Sequence, residues 1–209
     1  MNFPIKNRNL SEIFLAIQKE VRKWEQTHKI IDGLIQQLAN FINKLSYLTI
    51  DRLDAVIDGL KQSKLIYSTS IDAEENLASL NFHLRESQSC LESIFQNIFV
   101  AEAQLAELQT SLPGEHSIDE HSCHAHIHIN KCEEIRRHFF NKIPCEWSLV
   151  RDVAAQLQQQ TSLNMCVAEK LKESIRNQEV DQDELVTIIA CISYSPYVSL
   201  VEIGLFLDL

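Results

Sequence analysis

The sequence predicts an all-α protein, an elongated bundle in which a long antiparallel coiled-coil hairpin is followed by a C-terminal group of shorter helices. Three observations carry that prediction. Phe14, Ile17, Val21, Trp24, His28, Ile31, Ile35, Leu38, Ile42 and Leu45 fall on an unbroken 3-4-3-4 spacing, the seam of a helix that buries one stripe against another helix. Leu77, Leu80, Leu84, Ser87, Leu91, Ile94, Ile98, Ala101, Leu105 and Leu108 form a second such seam. The 209 residues include 4 Gly and 4 Pro, too few to punctuate a sandwich, a barrel or a dinucleotide-binding fold.

The first helix is expected from Asn9, where Glu12 completes a capping box, to about Ser46. Between Tyr47 and Thr69 the spacing of Ile50, Leu53, Ile57 and Leu60 argues for helix, while Gly59, Ser63, Ser68, Thr69 and Ser70 weaken it. A short helix and a helical extension both remain open there. The second long helix covers about Ile71 to Thr110 and stops at Pro113-Gly114. If the two seams face each other, each buried side chain stabilises by ~1.5–3 kcal/mol relative to exposure.

Glu115 to Asn130 reads as a loop, and Asn130 with Glu133 caps a short helix to about Asn141. Pro144 then restarts a helix along Trp147, Val150, Val153, Leu157, Leu163, Val167, Leu171 and Ile175. A turn at Asn177–Asp181 precedes an apolar helix from Asp183 to Tyr194. Ser195-Pro196 then offers an N-cap and first-turn pair for a last helix ending at Leu207. The chain thus divides into coiled-coil helices (1–112), a His-rich acidic loop (113–130) and a C-terminal helical region (131–209).

Net charge is −10, from 29 Asp+Glu against 19 Lys+Arg. No stretch is basic enough to neutralise phosphates, so direct nucleic-acid binding is not expected and association with other proteins is. The six cysteines (Cys90, Cys123, Cys132, Cys145, Cys166, Cys191) include no CxxC pair, and the N-terminus shows no apolar signal segment. They read as reduced, small core residues of a cytosolic or nuclear chain.

Leu185 to Leu207 carries a single charge, Glu202, over a length close to a bilayer span. That pattern would suit a tail-anchored coiled-coil protein. Ser193-Tyr194-Ser195-Pro196-Tyr197 interrupts the run, and acidic Asp183, Glu184 and Asp208 flank it rather than Lys or Arg. Two short helices split at Pro196, with no membrane, are the expectation.

His116, His121, Cys123, His124, His126, His128, Cys132 and His138 supply imidazoles and thiols suited to zinc. Their spacing matches no paired-ligand scaffold, so a solvated His-rich loop is expected, with no metal or other cofactor. There is no phosphate-binding glycine loop, nucleophile elbow or HExxH, and the expectation is a non-enzyme. His28 reads as a register-setting core residue. The partner-binding candidates are Trp24, Leu91, Ile98, Pro196, Tyr197 and Val198. Trp24 is chosen because a large aromatic suits an interface hot spot. Leu91 and Ile98 lie on a seam that could pair with another chain. Tyr197 is expected in the first turn of the last helix, packing the two short helices or forming part of a docking surface.

Val167-Ala168-Glu169-Lys170-Leu171, then Asp181-Gln182-Asp183, an apolar stretch and Pro196-Tyr197-Val198 resemble the C-terminal part of the cyclin-dependent kinase 2-interacting protein family. Lys23-Trp24-Glu25 resembles the Lys-Trp-Glu of that family's first helix. The chain departs from the family around Pro144, which no Trp precedes, and in the His-rich stretch. The resemblance covers about the first 45 and last 65 residues. It implies a nuclear adaptor, with the cytoplasm as a second location. Its partners would be cyclin-dependent kinase 2, the cell-division-cycle 7 kinase, the ATR-interacting protein, AAA+ ATPases and a second small helical subunit. The processes implied are DNA replication, the DNA damage response and ribosome maturation. A subunit of a cytoskeletal or kinetochore complex is the alternative that the seams alone would equally suit.

Overall fold

The computed structural model describes residues 10–49, 59–111, 125–177 and 182–208, with side chains placed for 10–45, 47, 64–107, 147–177, 183, 185–190 and 194–208. Its elements are α1 (Leu10–Thr49), α2 (Gly59–Ser111), α3 (Ala125–Asn177), α4 (Gln182–Ser193) and α5 (Leu200–Leu207). No strand occurs among the described residues. The two helices of 53 residues are each about 80 Å long at the usual rise.

Two apolar clusters give the rods their directions. The first joins Ile13, Ile17, Val21 and Trp24 of α1 to Cys90, Leu91, Ile94, Ile98 and Ala101 of α2, Val150 to Leu157 of α3, and Ile203 and Phe206 of α5. The second joins Ile31 to Ile42 of α1 to Ala73, Leu80 and Leu84 of α2, Val167 to Leu171 of α3, and Leu185 and Ile188 of α4. Low numbers of α1 therefore meet high numbers of α2, so those two are antiparallel, and α3 runs parallel to α1. In the reverse direction α4 and α5 return as one broken fourth rod, lying against α1 and α3. The seams pair within the chain: nine of the ten positions from Phe14 to Leu45 are buried, Phe14 being half-buried.

The elongated all-α bundle expected from the sequence is thus present, and several boundaries differ. Residues 59–70 extend the second helix rather than forming a separate one. Of the expected loop at 115–130, residues 125–130 are helical; Asn130 and Glu133 lie inside α3 and cap nothing, so the 130/131 division falls within a helix. Pro144 does not restart a helix but sits in the interior of α3. Its missing N–H and ring clash cost ~3 kcal/mol locally, which the continuous helix on both sides outweighs. The last helix begins at Leu200, not at Pro196. Its N-cap is Ser199, whose hydroxyl accepts from the Glu202 N–H. Residues 194–199 form a joint instead, with Ser195 at φ 38°. Because of it, Leu185–Leu207 is not one helix, and among the described residues no helix is long and apolar enough to cross a membrane.

Candidate functional site: a polar belt at the joint of the fourth rod

Between the two apolar clusters each rod contributes polar side chains at the same level. They are His28 from α1, Ser87 from α2, Gln160, Thr161 and Asn164 from α3, all buried, and Ser195 from the joint. The seams place them there: His28 and Ser87 stand on the seams of their helices, and Gln160, Thr161 and Asn164 continue α3's inward face between Leu157 and Leu171.

One group fixes the direction of the whole network. The Tyr197 backbone N–H can only donate, and it donates to Gln160 Oε1 (3.4 Å). Gln160 Nε2 then donates to Asn164 Oδ1 (3.1 Å), and Asn164 Nδ2 to His28 Nδ1 (3.1 Å). With Nδ1 accepting, the imidazole proton is on Nε2 and is donated to Ser195 Oγ (3.0 Å). The chain of bonds returns to the joint it left, two residues from its start. Alongside it, Trp24 stacks on His28 with ring centroids 4.7 Å apart and donates its indole N–H to Thr161 Oγ1 (2.9 Å). Thr161 Oγ1 lies 3.1 Å from Ser87 Oγ.

Asp32 Oδ1 lies 3.5 Å from His28 Nδ1, so Ser195, His28 and Asp32 line up in the order of a nucleophile, base and orienting acid. The tautomer opposes that chemistry. A general base needs its lone pair on the nitrogen facing the hydroxyl, whereas here that nitrogen donates and the other is held by an amide. Burial lowers the His28 pKa to about 4, against a smaller opposing pull from Glu25. Burial also raises Asp32 to about 6, and its Oδ1 has no hydrogen-bond partner. Opposite charges at this distance would favour an ion pair, but a proton on Nδ1 would face the Asn164 N–H. The imidazole is therefore neutral, with no Nε2 lone pair turned to Ser195.

The belt is flanked by side chains that read the main chain of the fourth rod. Gln156 Oε1 accepts from the Ser199 N–H (2.9 Å), and Gln156 Nε2 donates to Glu202. From α1, Gln18 Nε2 donates to the Phe206 carbonyl (2.9 Å) and Arg22 to the Leu207 carbonyl (3.3 Å). Phe206 meets the edge of the Phe14 ring at 5.3 Å.

The six partner-binding candidates separate into two groups. Trp24, Leu91 and Ile98 are core residues at 1%, 7% and 7% exposure, turned inward by the pairing of the two seams within the chain. They offer no surface to a partner. Pro196, Tyr197 and Val198 are brought together in the joint: Pro196 and Tyr197 are exposed and Val198 is half-buried against the first cluster. Tyr197 lies before α5 rather than in its first turn, so its ring is not enclosed between the short helices. Cys90 is buried and its thiol is pushed up to about 11 by burial, while Cys166 is exposed, contrary to the core role expected of it.

His116, His121, Cys123 and His124 lie outside the described residues, as do the side chains of His126, His128, Cys132 and His138. Among the described residues no group of three His, Cys, Asp or Glu side chains is placed to hold a metal. Residues that the sequence reading missed are Asp32, Gln160, Thr161, Asn164 and Ser195. The available signal was the polar interruption of α3's apolar face at the level where the other seams carry His28 and Ser87.

No protein-family model matches this chain, and neither does a curated protein or a solved structure.

Proposed function

We propose that this protein is a non-enzymatic helical adaptor that docks another helical protein on the outer face of its fourth rod. The observation that carries the reading is a run of exposed apolar side chains there: Tyr194 (82%), Tyr197 (45%), Leu200 (74%), Val201 (73%) and Leu205 (59%). Within residues 194–207 the one ionisable carboxylate, Glu202, is engaged by Gln156. In a chain of net charge −10, such an uncharged face suits a hydrophobic interface core. Val201 and Leu205 stand four residues apart on α5, one turn of a face that a partner helix can pack along.

The motif resemblance at Pro196-Tyr197-Val198 supports a narrower reading. By it the partners are the replication kinases cyclin-dependent kinase 2 and the cell-division-cycle 7 kinase, the ATR-interacting protein, and AAA+ ATPases with a second small helical subunit. The site of action would then be the nucleus. Proximity labelling in dividing cells with the parent chain and with Val201→Lys/Leu205→Lys tests both levels. Labelling of replication or ATPase proteins by the parent, lost in the variant without a change in melting temperature, is the expected result. Equal labelling by a folded variant overturns the docking face. A parent set dominated by tubulin-associated proteins overturns the replication reading.

A further inference from the structure

The α1/α3 groove holds residues 195–207 largely by their main chain. Two amides of the strap donate to the glutamines of α3, Tyr197 N–H to Gln160 and Ser199 N–H to Gln156. Two of its carbonyls accept from α1, Phe206 from Gln18 and Leu207 from Arg22. The accepting pair on α3 and the donating pair on α1 each stand four residues apart on their helix, so each groove wall presents a row of side-chain hydrogen-bonding groups at one-turn spacing. Ile203 and Phe206 are the strap's buried apolar anchors. An identical strap from another molecule would satisfy every one of these contacts equally well.

The joint supplies a reason for it to leave. Ser195 is the one non-glycine residue with positive φ among the described residues. It precedes Pro196, whose ring further restricts its backbone, so the turn that folds the strap back is strained. Extending the joint removes that strain. Three extended residues, 194–196, reach about 10 Å, the spacing of abutting helices, and leave the Tyr197 and Ser199 amides free to seat in a neighbouring groove. Tyr194 and Tyr197 flank the bend and are exposed.

We propose that residues 194–208 exchange between two copies of this chain, each strap seating in the partner copy's α1/α3 groove to give a two-fold dimer. Exchange of a terminal element through a short strained hinge is a low-cost route to dimers, because the contacts of residues 197–207 are all re-formed. The inference is independent of the adaptor reading, since it uses the groove and the joint rather than the outer face of α5.

The test uses the full chain refolded from denaturant at high and at low concentration and sized by light scattering. Refolding at high concentration should give a dimer that survives dilution for hours, because separation requires the strap to unseat. Ser195→Gly tolerates positive φ and should lower the dimer-to-monomer ratio roughly tenfold or more by relieving the closed form. Val201→Lys/Leu205→Lys should leave the ratio unchanged. In dimers assembled from differently labelled copies, isotope-filtered NMR should place Phe206 of one copy against Phe14 of the other. Monomer at every concentration, dissociation at once on dilution, an unchanged ratio in Ser195→Gly, or a Phe14–Phe206 contact found solely within one copy would each overturn the proposal.

Discussion

Replacing Asp32 by Asn should stabilise the protein at neutral pH and have almost no effect near pH 4. Asp32's carboxyl is raised from 3.8 to about 6 by burial. The folded chain therefore holds a proton that the unfolded chain has lost, and this contribution to stability disappears as pH rises through 3.8 to 6. Two pH units at about 1.36 kcal/mol each set an upper limit of about 3 kcal/mol. The side chain is 26% exposed, so water screens part of the penalty, and a gain of ~1–2 kcal/mol is expected for Asn at pH 7. His28 runs the other way. Its pKa falls from 6.5 to about 4 on folding, so its share of stability is complete above 6.5 and is lost as pH falls to 4. Across pH 4 to 6 the pair carries one proton in either state, on Asp32 when folded and on His28 when unfolded. The two slopes then oppose each other. Urea unfolding of parent and variant at intervals from pH 4 to 7.5 isolates the Asp32 share as a difference. That difference should grow from near zero at pH 4 to its plateau above pH 6, with a rise in Tm of about 2–8 °C there. A constant difference, or a variant no more stable than the parent at pH 7, would refute an uncompensated half-buried carboxylate at Asp32 and favour an ion pair of His28 with Asp32.

Other substitutions probe the belt and the clusters on either side. Trp24→Phe keeps the stack on His28 but removes the N–H bonded to Thr161; thermal melts should show a loss of ~1–2 kcal/mol. A double-mutant cycle with Thr161→Val should return a coupling of about 0.5–1.5 kcal/mol, and a coupling near zero would count against the bond. Phe206→Ala, at a ring with no solvent exposure, should cost ~3–5 kcal/mol, read as a fall in the urea midpoint. Leu91→Asp and Ile98→Asp each put an unpaired charge into the first cluster and should unfold the chain by circular dichroism rather than release a partner from an intact bundle.

The two long seams were legible because heptad spacing reports one-sided burial directly, and Trp24, His28 and Ile31 to Ile42 are buried where the pattern put them. The same pattern is silent on which helix covers a seam. Leu91 and Ile98 therefore read equally well as interface or core until α2 is seen folded against α1. Local rules failed where longer-range packing or neighbouring propensity outweighed them. Pro144 marks a cost but not a break, since α3 runs continuously through it. Ser195-Pro196 has the residue types of an N-cap and first turn, yet Ser199 takes the cap, four residues later. The belt at His28, Ser87 and Asn164 was visible as isolated exceptions on separate helices, and nothing in a linear pattern says that they share a level.

That shared level has a consequence for register. An apolar seam alone tolerates a slip of one heptad, because Leu and Ile side chains would still meet apolar neighbours. A slip of α3 by seven residues would place Ala168 or Leu171 beside His28, leaving His28 Nδ1, Asn164 and Gln160 buried without partners, each costing ~1–3 kcal/mol. The Tyr197 amide fixes the sense of the whole chain of bonds, so the joint and the alignment of α1 with α3 are specified by the same residues. A bundle held in this way has its least regular backbone where its core is least apolar, and both the exposed tyrosines and the strained Ser195 lie at that point.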